Sequence, residues 1–273
     1  MPSTRTFSAA LAASTLLFAP TVAAQDGPGM RQIHPPTMVS LGFGLGDQTL
    51  EVNRGEFPSP SNNNLPGVIS RSTDAMHMRL RAEHFFGNDF GVFANIYIGS
   101  ADDINEDIGS TESSLDSSGF FLAAAYRATM DDDFRLPVRF GPFMQAIEID
   151  DGNFTNGAIT YSTIGVRLSA EPEFILWQTP DGDRISECSV FADLSCGAGP
   201  TNVEDDSNKE EAYSFTLSYE LGLRYRFANG IFGGLSYFAQ KYHIGTTESY
   251  RNQVFFGVDD DFNGIMLTAG LRF

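Results

Sequence analysis

The chain has 273 residues, with 35 acidic against 17 basic side chains and a formal net charge of −18. That balance argues against nucleic acid as a partner, and the length suits one domain. Mean hydropathy is −0.15, and no segment approaches the ~20 apolar residues that a transmembrane helix needs. Membrane strands stay open, because they give only every second residue to lipid.

Residues 1–24 read as a secretory signal peptide. Arg5 lies in the short leading region, Ala9 to Phe18 form the apolar run, and Val22-Ala23-Ala24 is a small-residue cleavage site. Cleavage near Ala24 leaves residues 25–36 as a periplasmic linker and 37–273 as the folded domain.

From residue 37 the apolar period is two, the signature of strands. Residues 37–46 place Val39, Leu41, Phe43 and Leu45 on one face and small residues on the other. Residues 74–86 oppose Met76, Met78, Leu80 and Ala82 to His77, Arg79, Arg81 and Glu83. Gly87-Asn88-Asp89 turns into a strand over 90–99, and 118–128 turns through Asp131-Asp132-Asp133 into 134–147. A strand over 158–177 shows Ile164, Val166 and Leu168 outward.

The seventh strand has two readings. A turn at Thr179 to Asp183 favours a strand in which Cys188, Val190, Ala192, Leu194 and Cys196 share a face. Those cysteines are then about 27 Å apart at strand rise, too far to bond. The alternative turns at Glu171-Pro172, sets a short strand at 173–178 and leaves a bridgeable pair of cysteines in a loop.

Tyr213 to Phe227 is the strongest strand, eight apolar residues in period two, and Asn229-Gly230 turns it tightly into Ile231 to Ala239. The chain ends on Ile265, Leu267, Ala269, Leu271 and Phe273, all on one face.

This terminal strand, with its exposed aromatic carboxy-terminus, resembles that of Gram-negative outer-membrane β-barrels of the opacity-protein and outer-membrane-protein-A-like type. The resemblance implies an all-β, antiparallel, up-and-down transmembrane barrel in the outer membrane. Phe273 and Leu271 are then the signal read by the barrel-assembly machinery, with periplasmic chaperones acting during biogenesis and lipid and lipopolysaccharide around the finished barrel. No peptidoglycan-binding domain follows the barrel, so wall anchoring does not carry over.

The strand pattern itself gives ten strands whose connections alternate long and short, with eight as the alternative count. Phe86, Phe90, Tyr126, Phe134, Tyr225, Phe227 and Phe273 collect at the periplasmic strand ends, where amphipathic rings suit a membrane interface.

Arginine dominates the inward positions: Arg79, Arg81, Arg127, Arg139, Arg167, Arg224, Arg226 and Arg272. Glu83, Glu220, Glu171 and Glu173 lie at compatible heights. A barrel of this size is filled by side chains, so an Arg–carboxylate plug is the leading expectation. It predicts a non-enzymatic barrel serving envelope structure or surface interaction. The excess of arginine supports the alternative of a narrow anion-preferring pore.

The long loops are acidic, as at Asp102, Asp103, Glu106, Asp107 and Glu204 to Asp206, which reads as solvation. Asp259, Asp261 and Asn263 match half of a calcium loop, but Gly270 stands where the bidentate Glu belongs. No cofactor is expected, and no metal beyond that half-motif. An outer-membrane hydrolase, omptin-like or lipid-modifying, is the second alternative, and only His243 beside Asp259 to Asp261 could serve it. His77 is expected to pack against lumen arginines and carboxylates, His84 to face outward near the periplasm, and His34 to lie in the linker.

Overall fold

A computed structural model describes residues 37–53, 68–86, 89–102, 113–130, 133–151, 158–181, 184–204, 209–246 and 257–273. The expected leader and linker over 1–36, including His34, lie outside the described residues, as do residues 87–88, 131–132 and 182–183 of the expected turns.

Among the described residues eleven strands follow one another: β1 (Thr37–Asn53), β2 (Val68–Phe86), β3 (Phe90–Asp102), β4 (Ser113–Met130), β5 (Phe134–Asp151), β6 (Ile159–Ala170), β7 (Glu173–Asp181), β8 (Arg184–Glu204), β9 (Lys209–Arg226), β10 (Ile231–Thr246) and β11 (Gly257–Arg272). All pairings are antiparallel, and β1 pairs with both β2 and β11, which closes the sheet.

The wall has ten staves, because β6 and β7 are one stave interrupted at Glu171 and Pro172. Both pair with β5 on one side and β8 on the other. Proline has no N–H to give the ladder, so the stave breaks there. The Pro172 carbonyl still accepts from Ala192 N–H at 3.0 Å.

Both sequence readings of this region touched something real. Pro172 does interrupt a strand, and β7 and β8 do pair across the expected turn, although Thr179, Pro180 and Asp181 belong to β7 rather than to the turn. The cysteines lie in β8 and are free, Cys188 buried and Cys196 exposed, which removes the bridged-loop alternative.

The register fixes the stagger. Partners run from Thr37 through His84, Val92, Ala124, Phe140, Leu168, Cys196, Leu217, Lys241 and Asp261 to Thr49, twelve residues farther along β1 (49 minus 37). A closed barrel needs such a shear, which tilts every strand and brings distant residues to one height. The seam is made by the chain ends, where Thr37 and Phe273 exchange backbone hydrogen bonds of 3.0 Å each way.

Strands run farther outward than the apolar pattern foretold. Those of the last hairpin continue to Thr246 and restart at Gly257, beyond Ala239 and ahead of Ile265 where the apolar alternation ends and resumes. Backbone pairing needs no lipid, so the ladder persists after the outward face turns polar. At that level the outer wall carries Glu51, Lys241, His243, Asp259 and Asp261. Of the acidic loop residues, Asp103, Glu106, Asp107, Asp205 and Asp206 lie outside the described residues.

Below, the outward face is an exposed apolar belt including Leu41, Phe43, Leu80, Ile164, Leu217, Leu235 and Leu267. A patch of this extent in contact with water is not sustainable, and lipid is its natural cover. Phe86, Phe90, Tyr126, Tyr225, Phe227 and Phe273 are exposed at its lower edge, where Phe134 packs on Phe174 with ring centres 4.6 Å apart. Leu176 and Trp177, exposed on β7, add to it.

Candidate functional site in the lumen

Inward side chains fill the barrel in three layers. The lowest is a network of guanidinium groups and carboxylates. Glu187 accepts from both terminal nitrogens of Arg135 at 2.7 Å, from Arg226 at 2.5 Å and from Arg272 at 2.9 Å. Glu173 takes Arg226 at 2.8 Å, Arg224 at 3.3 Å and the Ser189 hydroxyl at 2.6 Å. Glu171 takes Arg224 and Arg139, each at 2.9 Å, and Arg139 also reaches Glu83 at 2.8 Å.

Higher up, Arg81 meets Asp193 at 2.5 Å, and Arg79 forks onto Glu220 at 2.6 and 3.0 Å. Ser236 donates to Glu220 as well, at 2.6 Å. Bidentate, charge-assisted bonds of this kind are the strong ones. Several guanidinium faces also lie over rings, including Arg127 over Phe85 at 3.8 Å, Arg139 over Phe93 at 4.3 Å and Arg224 over Phe191 at 4.2 Å.

Glu83 pairs with Arg139, and Glu220 with Arg79 and Arg81, while Arg224 and Arg226 use Glu171, Glu173 and Glu187. Arg167 stands apart. It donates to Thr216 at 3.0 Å and Gln145 at 3.5 Å, stacks 4.8 Å from the centre of Phe143, and bonds no carboxylate among the described residues.

Three partners were missed as members of the network: Arg135, Glu187 and Asp193. Strand parity could have found each, since Phe134, Cys188 and Leu194 face outward and their neighbours must face in.

The middle layer is aromatic. His77 is buried against Phe262 (3.8 Å between centroids), Tyr97 and Phe238, with Arg79 two residues along the strand. This corrects the expectation of a carboxylate partner, since the rings of β3, β10 and β11 occupy that height. Tyr97 lies where a side chain at Gly119 would stand; a Cβ there would come within 2.1 Å of the ring.

The upper layer, unforeseen in the sequence, is mainly apolar. Leu50, Leu115, Ile147, Ile149, Tyr161, Ile244 and Val258 pack into one buried cluster around Tyr242. The Tyr242 hydroxyl joins a ring of Thr163, Thr201 and Ser214, which satisfies the polar groups within the apolar mass. Asp260 is the buried acid here, and Gln48 donates to it at 2.7 Å.

Outside the lumen, His84 bonds Thr37 at 2.8 Å near the periplasmic end, as expected of it. The calcium half-motif is strand rather than loop. Asp259 bonds His243 at 2.7 Å, Asp261 bonds Lys241 at 3.2 Å, and Asn263 bonds Tyr237 at 3.2 Å. These side chains point out of a pleated ladder and do not converge. Among the described residues no cluster of His, Cys, Asp or Glu is arranged to hold a metal.

No family model matches the chain, and no curated protein matches it. Solved structures do. The outer membrane protease OmpT of Escherichia coli is 10% identical with a TM-score of 0.50, over 87% of this chain and 97% of that one. The transport unit of the autotransporter AIDA-I of Escherichia coli is 6% identical with a TM-score of 0.46, over 94% and 93%. Ail, the attachment invasion locus protein of Yersinia pestis, is 13% identical with a TM-score of 0.26, over 87% and 99%. The fold is that of the Gram-negative outer-membrane β-barrels. Its lipid-facing belt and closed wall place the chain in the outer membrane as an integral barrel in contact with lipid.

Proposed function

We propose that this barrel is non-conducting and non-enzymatic and serves envelope structure or surface interaction. The supporting observation is the filled lumen, with charge below, rings at mid-height and aliphatic side chains above. Ion passage needs a continuous wet path with weak sites, and the aliphatic side chains packed around Tyr242 in the upper layer interrupt such a path.

Steady-state conductance of purified protein in planar bilayers tests this directly. Little or no conductance is expected, and stable anion-selective channels would establish the pore alternative. Against the hydrolase alternative, His243 and Asp259 pair on the outer wall, with the imidazole 49% exposed. Turnover of peptides, phospholipid or lipid A that His243→Ala abolishes would reverse this reading.

The signal peptide at 1–24, the linker at 25–36 and a role for Phe273 and Leu271 in assembly belong to the same proposal. Phe273 supports the last by bonding Thr37 at the barrel seam. Deleting it is expected to lower the amount of heat-modifiable, assembled barrel, and normal assembly would remove the signal.

A further inference from the structure

Between the ion-pair network and the apolar layer lies a cavity of about 30 Å³, bounded by Arg79, Arg81, Arg167, Asp193, His77 and Asn95, among others. Their charges do not cancel. Asp193 is taken by Arg81 at 2.5 Å and Ser169 at 3.1 Å, and Arg79 is taken by Glu220. Arg167 remains, 5% exposed, with neutral hydrogen-bond partners and rings and no carboxylate in bonding range among the described residues, Asp193 being already engaged by Arg81 and acting on it only from a distance. A buried cation without a counter-charge is expensive.

The cavity walls also hold unused hydrogen-bonding capacity. Nε of Arg167, Nε of Arg81 and Oδ1 of Asn95 are all buried without a partner. Guanidinium nitrogens can only donate. The Asn95 amide becomes a third donor by a half-turn that leaves its shape unchanged. One uncompensated positive charge and a surplus of donors call for one negative charge that accepts. The volume holds about two water-sized species, too little for phosphate or sulfate.

We propose that this cavity binds a single small monovalent anion, chloride under ordinary conditions, against the Arg167 guanidinium. The proposal does not depend on whether the barrel conducts, and conductance does not test it.

Crystals of the whole protein grown in bromide should show one anomalous peak in the cavity beside Arg167. In solution, the unfolding midpoint should be higher in chloride than in gluconate at equal ionic strength and should climb with the logarithm of chloride concentration. Arg167→Gln should abolish that dependence, and Arg167→Lys should restore part of it. Should the Gln variant fail to fold, the two wild-type measurements decide alone. A cavity holding only water in bromide crystals overturns the proposal. Bromide in the crystal with halide-independent unfolding means an adventitious ion only and overturns it equally.

Discussion

The two ends of the lumen are both closed, by opposite means. Below, a shared network of arginines and carboxylates fixes each group by direction and distance. Above, Leu115, Ile147, Ile149, Ile244 and Val258 close the space by volume, with no directional requirement. A network fails when one partner is neutralised, because its neighbours stay buried and charged. A packed layer tolerates shape-conserving exchange and fails only when volume is lost. The lower half should therefore be sensitive to isosteric change and the upper half indifferent to it.

The largest effect is expected at Glu220. It holds Arg79 through two bonds, lies 3.5 Å from Arg81 and accepts from Ser236. Glu220→Gln keeps the shape and removes the charge, and should cost about 3–5 kcal/mol in denaturant unfolding of the reconstituted protein. A neutral outcome would mean that water screens the network and the lower lumen is wet. Leu115→Ala in the upper layer should cost about 2–4 kcal/mol through the cavity it leaves, whereas Ile147→Leu should cost less than about 1.5 kcal/mol.

Asp260 crosses this division, as an acid within the apolar layer. It lies above the lipid belt, at the level where the outer wall carries Lys241, His243, Asp259 and Asp261. Burial pushes its carboxyl up to about 7, and the bond from Gln48 opposes this only in part. Leu50 and Tyr242 are its cross-strand neighbours, and neither supplies a cation. Because the folded value is raised, the stabilisation is fully present below the ordinary carboxylate range and is lost as pH rises through about 7. Unfolding temperature should thus fall between pH 5 and 9, by the equivalent of roughly 3 kcal/mol. Asp260→Asn should flatten the profile, and an unchanged slope in that variant would assign the pH dependence elsewhere.

Strand parity carried most of the fold into view. Period two at Tyr213 to Phe227 and at Ile265 to Phe273 is reproduced strand for strand, and the ten-stave wall follows from it. What the sequence hid has a physical cause. The shear decides which inward residues share a height, and no local pattern encodes it. Arg139 of β5 therefore meets Glu83 of β2 across the lumen, and Arg81 of β2 meets Asp193 of β8. Outward polar positions such as Lys241 and Asp261 looked like loop, although the ladder continues through them. The buried residues behind them, such as Leu50 and Val258, therefore had no apolar alternation to mark them as lumen-facing.

The smallest expected effect tests whether the lower network is a set of pairs or a shared medium. Glu83 receives Arg139 at 2.8 and 3.3 Å, and Arg139 is among the most deeply buried side chains. Arg139 also holds Glu171 at 2.9 Å and rests on the ring of Phe93. Neutralising Glu83 therefore leaves Arg139 with one carboxylate and one aromatic face, and Glu83 itself is at 8% exposure close to the lower rim. Glu83→Gln should cost about 1–2 kcal/mol, well below Glu220→Gln, because a network redistributes the lost charge. In the double variant Glu83→Gln with Glu171→Gln, Arg139 loses both carboxylates, so the combined loss should exceed the sum of the single losses by about 0.5–3 kcal/mol, as coupled sites do. Additive losses would show that Arg139 does not pool its partners and that the lower lumen is held pair by pair.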